Sequence, residues 1–126
     1  PGDLDFVSHK VMYNPPFVPS IIKKQYEQHL IKNAQHTARL INQLTDMNKQ
    51  YSLSSFKEML GHITAPTLIL WGKQDQIVNV EIAQELKNSI KNAQQPIILN
   101  HVGHIPMLEA PERVSQSYAA FLNTVQ

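Results

Sequence analysis

The sequence predicts an α/β protein with a parallel sheet, and three observations carry that reading. Two short runs, residues 67–71 (Thr-Leu-Ile-Leu-Trp) and 96–99 (Pro-Ile-Ile-Leu), are apolar at successive positions, the pattern of strands covered on both faces. Between them Ile82, Ala83, Leu86 and Ile90 recur at helical spacing, from a start near Asn79. After the second run Val114, Tyr118, Phe121, Leu122 and Val125 mark the buried face of a further helix, opened by Pro111 with Glu112 beside it. Strand, helix, strand, helix in that order describes a layer of parallel strands with helices packed on it.

The chain changes character near Gly61. Residues 14–19 (Asn-Pro-Pro-Phe-Val-Pro) are excluded from a helix, because each proline disfavours the α region for the residue before it. Ser20 is the expected N-cap of a helix carrying Ile22, Tyr26, Leu30 and Ile31. A second helix is expected from about Thr37, with Leu40, Ile41 and Leu44 on one face. Ser55 and Glu58 read as a capping box for a third, ended by Gly61. These narrow apolar stripes cannot hold a core alone, so residues 1–60 read as a helical cover laid on something larger and residues 61–126 as a β-α-β-α unit. Two parallel strands do not make a free-standing sheet. The expectation is therefore the C-terminal piece of a larger protein.

Composition narrows the function. Eleven basic residues against ten acidic give a net charge of +1, without the concentrated basic face that nucleic acid requires. There is no cysteine, hence no disulfide framework, thiol catalysis or cysteine metal site. His101 and His104 lie three residues apart, but no third ligand has an evident place, so no metal and no organic cofactor are expected. No apolar stretch reaches the roughly 18 residues that span a bilayer. Any targeting signal would precede Pro1, and the compartment is not legible beyond a default cytoplasmic lean.

The densest chemical signal follows each strand. Loops at the carboxyl ends of strands form the ligand site in open α/β sheets. Asp75 sits in such a loop, in Trp71-Gly72-Lys73-Gln74-Asp75, where Gly72 is expected to permit a tight turn. His104 sits in the other, in His101-Val102-Gly103-His104-Ile105-Pro106. Adjacent strands lie about 4.8 Å apart, so the two loops emerge side by side. A loop Asp after a glycine is ordinarily a turn residue. Opposite an imidazole, however, it can fix the tautomer and stabilise the imidazolium formed in base catalysis. His101 is expected to line the site or pack beside the loop. Glu109 and Glu112 are expected to support the His loop and a helix N-terminus rather than act in chemistry.

The motifs Ile63-x-x-Pro66-Thr-Leu-Ile-Leu-Trp71-Gly72-x-x-Asp75 and Gly103-His104-x-Pro106-x-x-Glu109-x-Pro111-Glu112 resemble the C-terminal third of an α/β-hydrolase. The resemblance is specific over about residues 60–125 and only positional before them, where it implies that residues 1–60 are the helical cap, or lid, of this family. It implies that Asp75 is the triad acid and His104 the base. Glycine occurs only at 2, 61, 72 and 103, so no G-x-S-x-G elbow is present. The nucleophile would then lie upstream, and the chain alone would be inactive. The implied parent is an esterase or lipase acting on a small hydrophobic ester. An aspartate nucleophile would make it a haloalkane dehalogenase or epoxide hydrolase, and C–C hydrolases share the pattern. Phe6, Met12 and Phe17, taken as non-helical cap residues, and Ile105 beside the base are the expected substrate contacts. A chain with an uncovered apolar strand edge is also expected to pair with a second copy.

Overall fold

A computed structural model of the chain describes residues 3–50 and 53–125. Its elements run α1 (Asp3–Val11), α2 (Ser20–Gln50), α3 (Leu53–Gly61), β1 (Leu70–Gly72), α4 (Glu81–Ser89), β2 (Ile97–Leu99), α5 (Pro106–Glu109) and α6 (Pro111–Thr124). The strands pair in parallel with Leu70 opposite Ile97, Trp71 opposite Ile98 and Gly72 opposite Leu99. The α/β order expected over residues 61–126 is present.

The first strand is shorter than the run 67–71. Thr67 bridges Ala93 and Leu70 pairs with Ile97, so three steps on one side face four on the other. Pro96 falls in that gap and has no N–H to donate, which interrupts the ladder. Around the strands Ile69, Ala83, Ile90 and Ala93 form the buried core, with Leu60, Trp71 and Leu86 packed against it. The Asn79 side chain accepts a hydrogen bond from the Glu81 N–H at 3.0 Å, which opens α4 near the expected position. The α6 stripe is present but incompletely covered: Tyr118 is 55% exposed and Leu122 and Val125 are each 39% exposed.

The N-terminal helices depart from expectation in four places. Phe6 and Val7 lie within α1 rather than in an irregular segment. Residues 3–11 contain no proline or glycine, and His9 and Lys10 in the last turn suit the helix dipole. The two helices expected on either side of Thr37 are one, α2, 31 residues long. No breaker stands between Ile31 and Thr37, and the polar side chains there bond back into the helix. Asn33 donates to the His29 carbonyl at 2.9 Å and Thr37 to the Asn33 carbonyl at 3.2 Å. The first turn of α2 closes on the Pro19 carbonyl, one residue before the expected Ser20 cap. Likewise α3 starts at Leu53, which puts Ser55 inside the helix instead of at its cap. No helix among the described residues is long and apolar enough to cross a membrane.

Candidate active site

The two loops that follow the strands are zipped together. Lys73 donates its N–H to the Leu99 carbonyl at 2.9 Å, and Gln74 donates to the Val102 carbonyl at 2.9 Å. The Gln74 side-chain oxygen in turn accepts from the Val102 N–H at 3.2 Å. Gly72 is required by this closeness, not by an unusual turn: a Cβ there would stand 1.9 Å from the Gly103 carbonyl oxygen and 2.5 Å from that of Val102. Gly103 is similarly confined, since its Cβ would meet the Val11 carbonyl oxygen at 2.7 Å and the Tyr13 nitrogen at 2.9 Å.

Asp75 lies at the end of this seam. Its Oδ1 accepts from the Ile77 N–H at 2.8 Å and the Val78 N–H at 3.0 Å, so the turn-forming role of a loop aspartate is fulfilled. Its Oδ2 lies 2.9 Å from His104 Nδ1. The Asp75 side chain is 4% exposed and that of His104 39%. Burial pushes the Asp75 carboxyl up. The Val78 N–H, the His104 ring, the Ile77 N–H and the charge of a protonated His104 outweigh it and hold the group below the usual carboxylate value. An ionised carboxylate only accepts, so Nδ1 carries the proton and the neutral ring presents Nε2 as a lone pair. Among the described residues Nε2 has no hydrogen-bond partner. A cavity of about 190 Å³ lined by Leu70, Trp71, Gly72, Asp75, His104, Pro106 and Met107 opens beside the pair. The arrangement can accept a proton at Nε2 and stabilise the resulting cation.

A second group supports the histidine. The short helix α5, not anticipated from the sequence, aims Glu109 back at the loop. Its Oε1 accepts from Gly103 N–H at 2.9 Å and Ile105 N–H at 3.4 Å, and its Oε2 accepts from Tyr13 N–H at 2.7 Å. The His104 N–H donates to the Val11 carbonyl at 2.7 Å. His101, at φ 59°, turns its ring to within 5.4 Å of the Tyr13 ring. Glu109 therefore supports the loop as expected. Gln74 carried no signal beyond its place between Gly72 and Asp75, and nothing in the segment 11–13 signalled its contact with the His104 loop. Glu112 lies in the first turn of α6, at the helix N-terminus it was expected to support.

The four expected substrate contacts are not brought to one surface. Ile105 adjoins the base and is half-buried. Met12 lines a larger cavity of about 410 Å³ between α1 and the start of α2, one that excludes both Asp75 and His104. Phe17 is 89% exposed on the rim of another cavity, and Phe6 is exposed with the Lys10 ammonium 5.9 Å from its ring centre. The smaller cavity holds the groups capable of proton transfer, and reactivity rather than volume marks the candidate site. No cluster of three metal-ligating side chains occurs among the described residues.

Comparison with known proteins identifies the fold family. The family model described as alpha/beta hydrolase fold matches residues 16–111. Lipase 1 of Psychrobacter immobilis is 33% identical over 116 residues, covering 92% of this chain and 35% of the lipase. Lipase 3 of Moraxella sp. (strain TA144) is 32% identical over 111 residues, 88% of this chain and 34% of that protein. The chain thus spans about a third of the length of these curated relatives. Among solved structures, a lipase candidate from Acinetobacter baumannii superposes with a TM-score of 0.92 at 48% identity, over 98% of this chain and 42% of its own. With the match covering both loops and most of the helices before them, the chain belongs to the α/β-hydrolase fold family.

Proposed function

We propose that this chain supplies the acid and base of a carboxylic-ester hydrolase of lipase or esterase type, and that residues 1–60 form its cap. In this reading a serine from a preceding segment of the polypeptide attacks the ester carbonyl carbon while its proton passes to His104 Nε2. The Asp75 carboxylate stabilises the imidazolium. His104 then returns the proton to the departing alkoxide oxygen as the C–O bond breaks. A water molecule attacks the acyl-serine next, with its proton taken by Nε2 and delivered to the serine oxygen. The observation that carries the proposal is the 2.9 Å contact from Asp75 Oδ2 to His104 Nδ1, with Oδ1 tied to two backbone N–H groups. The lipase names of the relatives support an ester as substrate.

The test is turnover of a short-chain p-nitrophenyl ester by the full-length protein. His104→Ala is expected to reduce kcat by about a thousandfold or more, since a triad acts as a unit. His101→Ala should change it only a few-fold. A loss below about tenfold for His104→Ala would remove the base assignment. The 126-residue chain by itself is expected to show no turnover, for want of a nucleophile.

A further inference from the structure

Glu109 does more than brace its own loop. Its carboxylate joins two segments that are far apart in sequence: Oε1 receives the Gly103 and Ile105 N–H groups, which flank His104, and Oε2 receives the Tyr13 N–H. The His104 backbone N–H is spent on the Val11 carbonyl at 2.7 Å. The backbone that carries the imidazole is therefore held on one side by Glu109 and on the other by residue 11. Residue 13 is held by the same carboxylate. Gly103 closes the seam, because a side chain there would strike the Val11 carbonyl oxygen and the Tyr13 nitrogen.

We propose that Glu109 is a positioning residue for the base: by clamping the segment 11–13 onto the 103–105 turn it sets the His104 ring against Asp75. It does not touch substrate and acts through the backbone. The proposal rests on the reading of His104 as base. Only an acceptor on both sides can serve here. A glutamine can satisfy one set of N–H groups, but its amide N–H₂ then faces the other set, donor to donor. The seam would open on one side and the ring would lose its alignment with the Asp75 carboxylate.

The experiment is made on the full-length protein. Glu109→Gln is expected to lower kcat for the p-nitrophenyl ester about 10- to 100-fold, the usual cost of misplacing a reacting group by about 1 Å, while KM stays within about threefold. The deshielded proton-NMR resonance of His104 Nδ1–H, present in the parent protein and absent in His104→Ala, should move upfield or broaden away in Glu109→Gln. Gly103→Ala, which opens the same seam from the other side with Glu109 intact, should show the same split and the same spectral change. A kcat within twofold of the parent in either folded variant overturns the proposal. So does a reduced kcat with the Nδ1–H resonance unmoved, because the effect then bypasses the ring. A loss below about tenfold for His104→Ala in the ester assay would instead refute the base reading, and the resonance comparison would still judge the clamp.

Discussion

The helices before Gly61 and the β-α-β-α unit after it are about equally rich in apolar side chains, yet they bury them very differently. Among the described residues every fully buried position lies between 69 and 103. In the N-terminal region Phe17 is 89% exposed, Ile31 76% and Leu44 64%. The unit after Gly61 crosses from one strand to its parallel neighbour by way of α4, and this closes Ile69, Ala83, Ile90 and Ala93 around one another. A long amphipathic helix such as α2 cannot close on itself, so its stripe stays open unless another surface meets it. Burial here follows connectivity, not hydrophobic content.

That contrast is open to direct attack. The largest effect is expected at Gly72→Ala, where the new methyl would overlap the Gly103 carbonyl and cannot be relieved without separating the two loops. A loss of about 3 kcal/mol or more, or outright failure to fold, should appear in chemical denaturation. Gly61→Ala provides the counterpart from the other region. Nothing lies within 4 Å of the added methyl, and a change of less than about 1 kcal/mol, in the stabilising direction, is expected. An equal cost at both glycines would erase the distinction.

Core truncation sharpens it further. Val102 is 1% exposed, and Val102→Ala should cost about 2 kcal/mol. Phe17→Ala, despite removing a larger side chain, should stay within about 0.5 kcal/mol when measured on the 126-residue chain. If Phe17→Ala proves costly in the full-length protein alone, its partner lies outside these residues.

The smallest contrast is electrostatic. The Asp75 carboxyl is held below its ordinary value in the folded state, so the unfolded chain takes up the proton more readily than the folded one. Its contribution to stability is complete above the ordinary carboxylate pKa. It fades as pH falls through that value and then through the lower folded one. Asp75→Asn should therefore flatten the acid limb of a melting-temperature profile, with little left to distinguish the proteins at the most acidic end. Asp5, paired with Lys23 in the N-terminal region, is 54% exposed at its side chain. Asp5→Asn should shift stability by less than about 1 kcal/mol at any pH.

Much of this was legible in the sequence because it depends on local or short-range rules. Unbroken apolar runs bounded by Pro66, Gly72 and Pro96 located the strands. A loop after each strand located Asp75 and His104, since parallel neighbours must release their loops on the same edge. The helix boundaries were less legible. Nothing in the residues 32–36 stops a helix, yet the weak apolar pattern there suggested a break; the helix runs through, with Asn33 and Thr37 bonded back to carbonyls one turn earlier.

What the sequence by itself determined is that Asp75 and His104 stand side by side, together with the α/β order that brings them there. Only the tertiary structure decided why Gly72 and Gly103 must be glycines. They are set by contacts between backbones dozens of residues apart, and no local propensity encodes those. Tertiary structure also decided which groups Glu109 holds in supporting that loop. A carboxylate in a loop motif has many uses, and this one is fixed by three N–H groups converging from residues 13, 103 and 105. Local chemistry follows from residue type and spacing, whereas convergence of distant backbone donors on one acceptor exists only once the chain has folded.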